Sequence, residues 1–444
     1  MGDIISVLLF VYLTFITLWY AIGKVKIIKS PFDANQQICL SGAEYSVVLL
    51  FATALFACGN LLSTRLVINE LLCVVILFRH KRDRQYPLSV KIYILYMLWL
   101  VIGCQYADYP IYGLRAMIKY IYPLLVVLVC SRVVRNPEVA VTSGILACKV
   151  GVFAAIMGIF SIIENTIFGG VLWYGTARAI NLISLMIFSL ALFCYETDNK
   201  KWNLIMAIFF MIPCFLWVFR TSIIGTFIAL AMFSIFKYKI KAIPVLVSLV
   251  VAGVICVFVI PSLNKKMFFD KEITFEEVQE KKLDDKIINT NGRTAIWKYL
   301  EQIFYEKHKW TGSGTGSVQH EMYTNSEFYG GLKVPHSDYV QMLCDNGRIG
   351  LMLYLLAMGT VIIHCFSIYN KQNNKFIRMF AIMTGGALAG VLVTLYSDNA
   401  VNYSMCTLSF PMGFYGMTLG LMYAEEDKKF KGSNNGNAKT FGQQ

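Results

Sequence analysis

The chain is dominated by apolar stretches long enough to cross a bilayer, and no other property limits its fold so narrowly. They fall at roughly 4–22, 45–62, 64–78, 88–106, 112–131, 139–163, 179–195, 202–219, 221–236, 242–260, 349–368, 377–396 and 404–423, near the length of about 20 residues that a spanning helix needs. Backbone facing lipid must satisfy its own hydrogen bonds, so such runs become helices. The expected fold is an all-α polytopic membrane protein with about 12–13 transmembrane helices. Composition agrees, with only 15% charged residues against about 25% in soluble domains.

A net charge of +13 would suggest nucleic acid in a soluble protein. Here the cations gather in alternate short connections: Lys24, Lys26 and Lys29; Arg79, Lys81, Arg82 and Arg84; Arg132 and Arg135; Lys200 and Lys201; Lys237, Lys239 and Lys241; Lys371, Lys375 and Arg378. That is the positive-inside pattern of cytoplasmic loops, and it implies no nucleic-acid partner. The opposite set includes 263–346, with 11 basic and 13 acidic residues, which is expected outside. Asn60 and Arg65 mark the turn between the second and third spans, and Ile4 to Ile22 reads as a retained span, because no basic n-region precedes it. The 12 cysteines show no CxxC spacing and read as small apolar residues, with no metal site.

Four parts follow: N-terminal transmembrane helices (1–262), an external loop with the catalytic segment (263–346), C-terminal transmembrane helices (347–424) and a disordered cytoplasmic tail (425–444) rich in Gly, Asn and Lys.

The chemistry concentrates in the polar stretch from Pro261 to Gly350. From Thr294, the residues Ile296, Trp297, Leu300, Ile303 and Phe304 recur at helical spacing, which predicts an amphipathic helix. Arg293 falls in its first turn, where amides and a guanidinium favour an anion; an ordinary surface arginine is the alternative. The run Gly312-Ser313-Gly314-Thr315-Gly316 is either a phosphate cradle or a flexible turn, and it lacks the Gly-Lys-Ser/Thr of a Walker motif. Ser337 is suited to cap a helix through Tyr339, Val340, Met342 and Leu343 that stops at Asn346-Gly347. His336, just before that cap, is the one candidate base; a structural histidine is the alternative.

Further cations sit toward the outer ends of spans. Arg220 interrupts an apolar stretch, Arg115 and Lys119 share a face at i and i+4, and Arg178 precedes the span near Ile180. Charges so placed mark a site or snorkel to headgroups. With Arg293 they suggest an anionic, phosphorylated lipid at the outer leaflet. Asp338 and Tyr339 join Arg115, Lys119 and Arg178 as candidate substrate-binding residues, and whether Asp338, Asp345 or Asp398 assists His336 stays open.

Arg293 with Trp297, Gly312-x-Gly314, Pro335-His336 and Asp345-Asn346-Gly347-Arg348-Ile349-Gly350 resemble the external-loop pattern of the O-antigen ligase and polymerase family. Ser337 stands where that family usually has Asn, and Asp345 where it usually has Glu. The resemblance implies a GT-C-like membrane domain in a bacterial plasma membrane, with the active site on the external or periplasmic side. It implies inverting, metal-independent transfer of a glycan from a polyprenyl-pyrophosphate donor to a sugar hydroxyl, with no cofactor. Catalytic roles then fall to Arg220 and Arg293 on the pyrophosphate and to His336 on the acceptor hydroxyl. The implied partners are a polyprenyl-pyrophosphate-linked oligosaccharide and membrane lipids, with a chain-length regulator and a flippase as further candidates. A polymerase of repeat units for O-antigen, capsule or exopolysaccharide is the leading expectation; a ligase with the same donor is the alternative, and a transporter of the lipid-linked glycan is third.

Overall fold

The structure, a computed structural model, describes residues 2–21, 26–33, 35–55, 61–80, 85–168, 175–195, 200–217, 219–259, 261, 290–401 and 407–440. It is an all-α polytopic membrane protein. The first half comprises α1 (Gly2–Ala21), α2 (Gly42–Leu55), α3 (Leu62–Arg79), α4 (Leu88–Gln105), α5 (Pro110–Val133), α6 (Pro137–Ile159), α7 (Ser161–Phe168), α8 (Gly175–Cys194) and α9 (Lys200–Leu216). Then come α10 (Arg220–Tyr238), α11 (Ile243–Val259), α12 (Thr290–Leu300), α13 (Ser317–Thr324), α14 (Asp338–Lys371), α15 (Lys375–Ser397) and α16 (Ser409–Thr440).

Among the described residues, six helical stretches are long and apolar enough to cross a membrane: α4, α5, α6, α14, α15 and the 40-residue stretch Arg220–Val259. That last stretch is two helices, because the 3-10 turn Lys239–Ala242 separates α10 from α11 and Lys239 takes φ 54°. The count expected from sequence is larger; among the helices outside the six, α2 has 14 residues and α9 has 17, shorter than a full span. In α3, Arg65 is buried in the first turn, not in a connection, and bonds Thr14 Oγ1 at 3.3 Å. Asn60 lies outside the described residues. Helix α16 runs to Thr440, into residues expected to form a disordered tail. One element had no sequence signal: β1 (Lys26–Lys29) pairs antiparallel with β2 (Gln37–Leu40), Lys26 opposite Leu40.

Helix α15 is the buried centre, and small residues set how closely its neighbours approach. A Cβ on Gly390 would sit 2.7 Å from the carbonyl oxygen of Gly225 on α10, and one on Gly225 would sit 2.8 Å from that of Gly390. Further along, Gly386 faces Ala229 and Gly385 faces Phe236, so the two helices run antiparallel. Arg220 lies five residues before this crossing and Ser397 seven residues after it, which brings both to the same end, about 8–10 Å from the crossing at 1.5 Å per residue.

The loop segment builds a small core of its own from Ile296, Trp297, Leu300, Val318, Met322, Tyr329, Val340 and Cys344. The amphipathic helix is present as α12, continued by a π-helical turn, Glu301–Tyr305. Its apolar side faces this core, with Trp297 also edge-on to Tyr396 of α15, centroids 5.9 Å apart.

Candidate functional site

The segment before α14 is held against the end of α15 by a dense set of hydrogen bonds. Ser337 caps α14 as its sequence suggests, accepting from the Val340 amide at 3.2 Å. The Ser337 amide donates to Asn399 Oδ1 at 3.0 Å, and the Asp338 amide to the Asp398 carbonyl at 3.3 Å. The Asp338 carboxylate is fully buried and accepts from Asn399 Nδ2 at 3.1 Å and from the Val401 amide at 3.0 Å. Asn399 Nδ2 also reaches Gln341 Oε1 at 3.3 Å. The junction's buried polar groups are thus partnered within α14 and across to residues 398–401, as burial requires.

That clamp determines where His336 goes. Its backbone takes φ 57°, a left-handed conformation uncommon for a residue with a side chain. The preceding carbonyl, Pro335 O, is held by Trp297 Nε1 at 2.5 Å. So placed, His336 Nδ1 lies 3.7 Å from Asp398 Oδ1, with both side chains largely buried. That separation is longer than a hydrogen bond. Asp398 is itself oriented by the Asn399 amide, which donates to the same Oδ1 at 2.9 Å.

Arg293 arrives from α12 and donates to the carbonyl of Ser397, next in sequence to Asp398, at 3.0 Å. Its Nε is buried without a protein partner. Arg220 is half-buried at the start of α10 and close enough to Arg293 for the two charges to repel. Two guanidinium groups that share one end of the helices with a His–Asp pair make that end positive, which suits a phosphate-bearing group.

The other candidates take different places: Asp338 and Tyr339 sit in the junction that positions His336, and Arg115 and Lys119 lie apart from it. Asp338 is engaged by Asn399 and Val401, and Tyr339 OH donates to the Leu392 carbonyl at 2.7 Å, so both brace α14 against α15. Arg115 and Lys119 line a different cavity, of about 270 Å³, with Ser63, Val67, Ile118, Gln319 and Tyr323. The Arg178 side chain lies outside the described residues.

Of the three carboxylates that the sequence left open, Asp398 contacts His336, at 3.7 Å. It lies 62 positions later in the sequence, and its only sequence signal was an acid in a short connection. Asp345 serves elsewhere, accepting from the Val318 amide at 2.8 Å to dock α13.

The glycine run is a packing device and not a phosphate cradle. Its amides are engaged: Gly312 N with His308 O, Ser313 N with Cys344 O, Gly314 N with Asp345 O, Thr315 N with Gly103 O, and Gly316 N with the Asp345 carboxylate. Gly312, Gly314 and Gly316 take φ of 73°, 103° and 89° against neighbouring backbone, where a Cβ would meet Asp345, Ala107 and Tyr112.

Fold and site together define a multi-pass, all-α membrane protein with a His–Asp pair and two clustered arginines at one end of its helices. Residues 204–355, about a third of the chain, match the family model described as O-Antigen ligase, Wzy_C. The matched span contains Arg220, Arg293 and His336. Members are glycosyltransferase-like enzymes acting on lipid-linked glycans. No curated protein matches the chain.

Proposed function

We propose that the protein is a polysaccharide polymerase that joins polyprenyl-pyrophosphate-linked oligosaccharide repeat units at the outer face of a bacterial plasma membrane. The observation that carries this reading is the convergence of Arg293 on Ser397 and of His336 on the adjacent Asp398, with Arg220 beside Arg293.

In the proposed reaction His336 accepts the proton of the acceptor hydroxyl through Nε2, while Nδ1 faces Asp398, which orients the ring. The acceptor oxygen bonds to the anomeric carbon from the face opposite the leaving group. The carbon–oxygen bond to pyrophosphate breaks, its electron pair leaving with the lipid pyrophosphate, and the configuration inverts. Charge that grows on the pyrophosphate is met by Arg220 and Arg293. The activated donor supplies the free energy, and no residue role here requires a metal. A ligase would use the same donor site with a different acceptor, and the family description keeps that second reading in play.

The test is to reconstitute the purified protein with its single lipid-linked repeat unit and resolve the products by size, beside His336→Ala. A ladder that vanishes in the variant supports both the polymerase and the base. Folded wild-type protein that makes no ladder from its native unit overturns the polymerase reading in favour of the ligase.

A further inference from the structure

Three helices converge on the cavity that Arg115 and Lys119 line, each through residues one helical turn apart: Ser63 and Val67 on α3, Arg115 and Lys119 on α5, and Gln319 and Tyr323 on α13. The cavity mixes polar and apolar walls, with Arg115, Lys119, Gln319 and Ser63 beside Val67, Ile118 and Tyr323. Lys119 is 5% exposed and Gln319 7%, and Gln319 Oε1 is buried without a protein hydrogen-bond partner. A buried amide oxygen left in this state costs stability, so its retention beside a cavity needs a reason.

A row of aromatic rings leads to the same place along α5 and α13. Tyr109 stacks on His320 with centroids 3.5 Å apart, His320 meets Tyr112 edge-on at 5.0 Å, and Tyr112 lies 6.5 Å from Tyr323 at the cavity wall. Tyr109 and Tyr323 are about half exposed. Arg115 sits over the Tyr112 ring at 4.9 Å and Lys333 over Tyr323 at 5.3 Å. Exposed aromatic faces beside amide and cationic donors suit a ligand with apolar C–H faces and polar hydroxyl edges, which is the surface of a pyranose ring. The volume, about 270 Å³, lies just below the usual ligand-pocket range of about 300–1,000 Å³, which fits a sugar unit.

We infer that this cavity and aromatic row form a saccharide-binding subsite that holds the glycan of the acceptor. The inference rests on the reading under Proposed function, which places the donor pyrophosphate at Arg220 and Arg293. Connection to the reacting centre runs through the first segment of α14: Asp338 at one end is tied to the His336 junction, and Asp345 at the other docks α13. Seven residues of helix separate them, about 10 Å. An acceptor glycan held at Tyr323 would extend toward His336 along this segment of α14.

The experiment uses the full-length protein in nanodiscs and the delipidated repeat-unit oligosaccharide, released by mild acid from the lipid-linked material of the producing cells. Binding is read by saturation-transfer NMR and titration for wild type, Tyr323→Ala, Arg115→Gln, Gln319→Leu and His336→Ala. Tyr323→Ala and Arg115→Gln are expected to weaken binding about tenfold, the scale of one good ring or charged contact, whereas His336→Ala, which removes one contact at the reacting end of the acceptor, is expected to weaken it less. Gln319→Leu separates ligand binding from structure: it is expected to raise the melting temperature while weakening binding. Unchanged affinity in all three cavity variants overturns the inference, as does complete displacement of the glycan by inorganic phosphate, which would make the site a simple anion site. Glycan binding that depends on these residues, in protein that makes no product, counts against the polymerase reading alone.

Discussion

Asn399 is the residue on which the geometry of the site turns, and replacing it gives the sharpest test. Its side chain satisfies three buried partners at once: it accepts from the Ser337 amide and donates to Asp338 Oδ1 and Gln341 Oε1. Asn399→Ala leaves all three short of a bond. A buried polar group left without a partner costs about 1–3 kcal/mol. Local rearrangement and water entry recover part of the sum, so about 3–5 kcal/mol is the expected loss in the stability of this junction. His336 is next to Ser337 and is held in a left-handed conformation only by its surroundings; it is therefore expected to lose its place beside Asp398. Turnover should fall at least 100-fold, which corresponds to about 2.7 kcal/mol of the transition-state barrier, with little change in the donor KM.

A reciprocal exchange separates positioning from general damage. Asn399→Asp alone keeps an acceptor for the Ser337 amide but sets a carboxylate against Asp338, so it should be nearly as poor as Asn399→Ala. Adding Asp338→Asn reverses the donor and acceptor across the same contact, and the side-chain amide oxygen introduced at position 338 would still receive the Val401 amide. The double variant should regain at least tenfold over Asn399→Asp in product formed per minute from the lipid-linked repeat unit, with the melting temperature followed in parallel. Full activity in Asn399→Ala would refute the reasoning, as would a double variant no better than the single.

Four further outcomes follow from single contacts. Gly347 takes φ 64° and ψ −168°, a region open essentially to glycine alone, and a Cβ there would lie 2.2 Å from Trp310 O; Gly347→Ala should cost at least about 3 kcal/mol, read as a large drop in melting temperature. Trp297→Phe removes the bond to Pro335 O but keeps most of the ring, so it should cost about 1–2 kcal/mol and lower turnover more than donor KM. Arg293→Ala should raise the donor KM and lower turnover, whereas Arg115→Ala should leave donor KM unchanged. Burial and the neighbouring Glu306 push the Glu301 carboxyl above its usual range; ionising it therefore opposes folding, so stability should decline as pH rises through the carboxylate range, and Glu301→Gln should be more stable than wild type at pH 7 but not at pH 4.

The fold class was legible because lipid leaves the backbone so few choices: apolar runs such as 377–396 had to be helices, and α15 occupies nearly that range. The loop was legible where local chemistry decides, in the Ser337 cap, the break at Gly347 and the apolar side of α12. What sequence could not supply was tertiary. Arg65 looks like a loop residue until α1 offers it Thr14, and Asp398 looks ordinary until the Asn399 clamp brings His336 to it. The glycine run showed the opposite ambiguity, since three glycines in five residues suit a phosphate or a close backbone contact equally well. Only the engaged amides decide between them.

The division of the cations carries the largest consequence. Read along the chain, Arg115, Lys119, Arg220 and Arg293 form one outward-facing set, and a single anion would account for all of them. In space α10 meets α15 through Gly225 and Gly390, which delivers Arg220 to Arg293, while α5 meets α13 and delivers Arg115 and Lys119 to a separate polar cavity. A transferase needs two substrates held in register, with the base between them. On the proposed reading, two cationic places joined by the first segment of α14, with His336 at one end of that segment, would supply that arrangement. A carrier moving one lipid would have no use for the second place, and that difference favours transfer over transport.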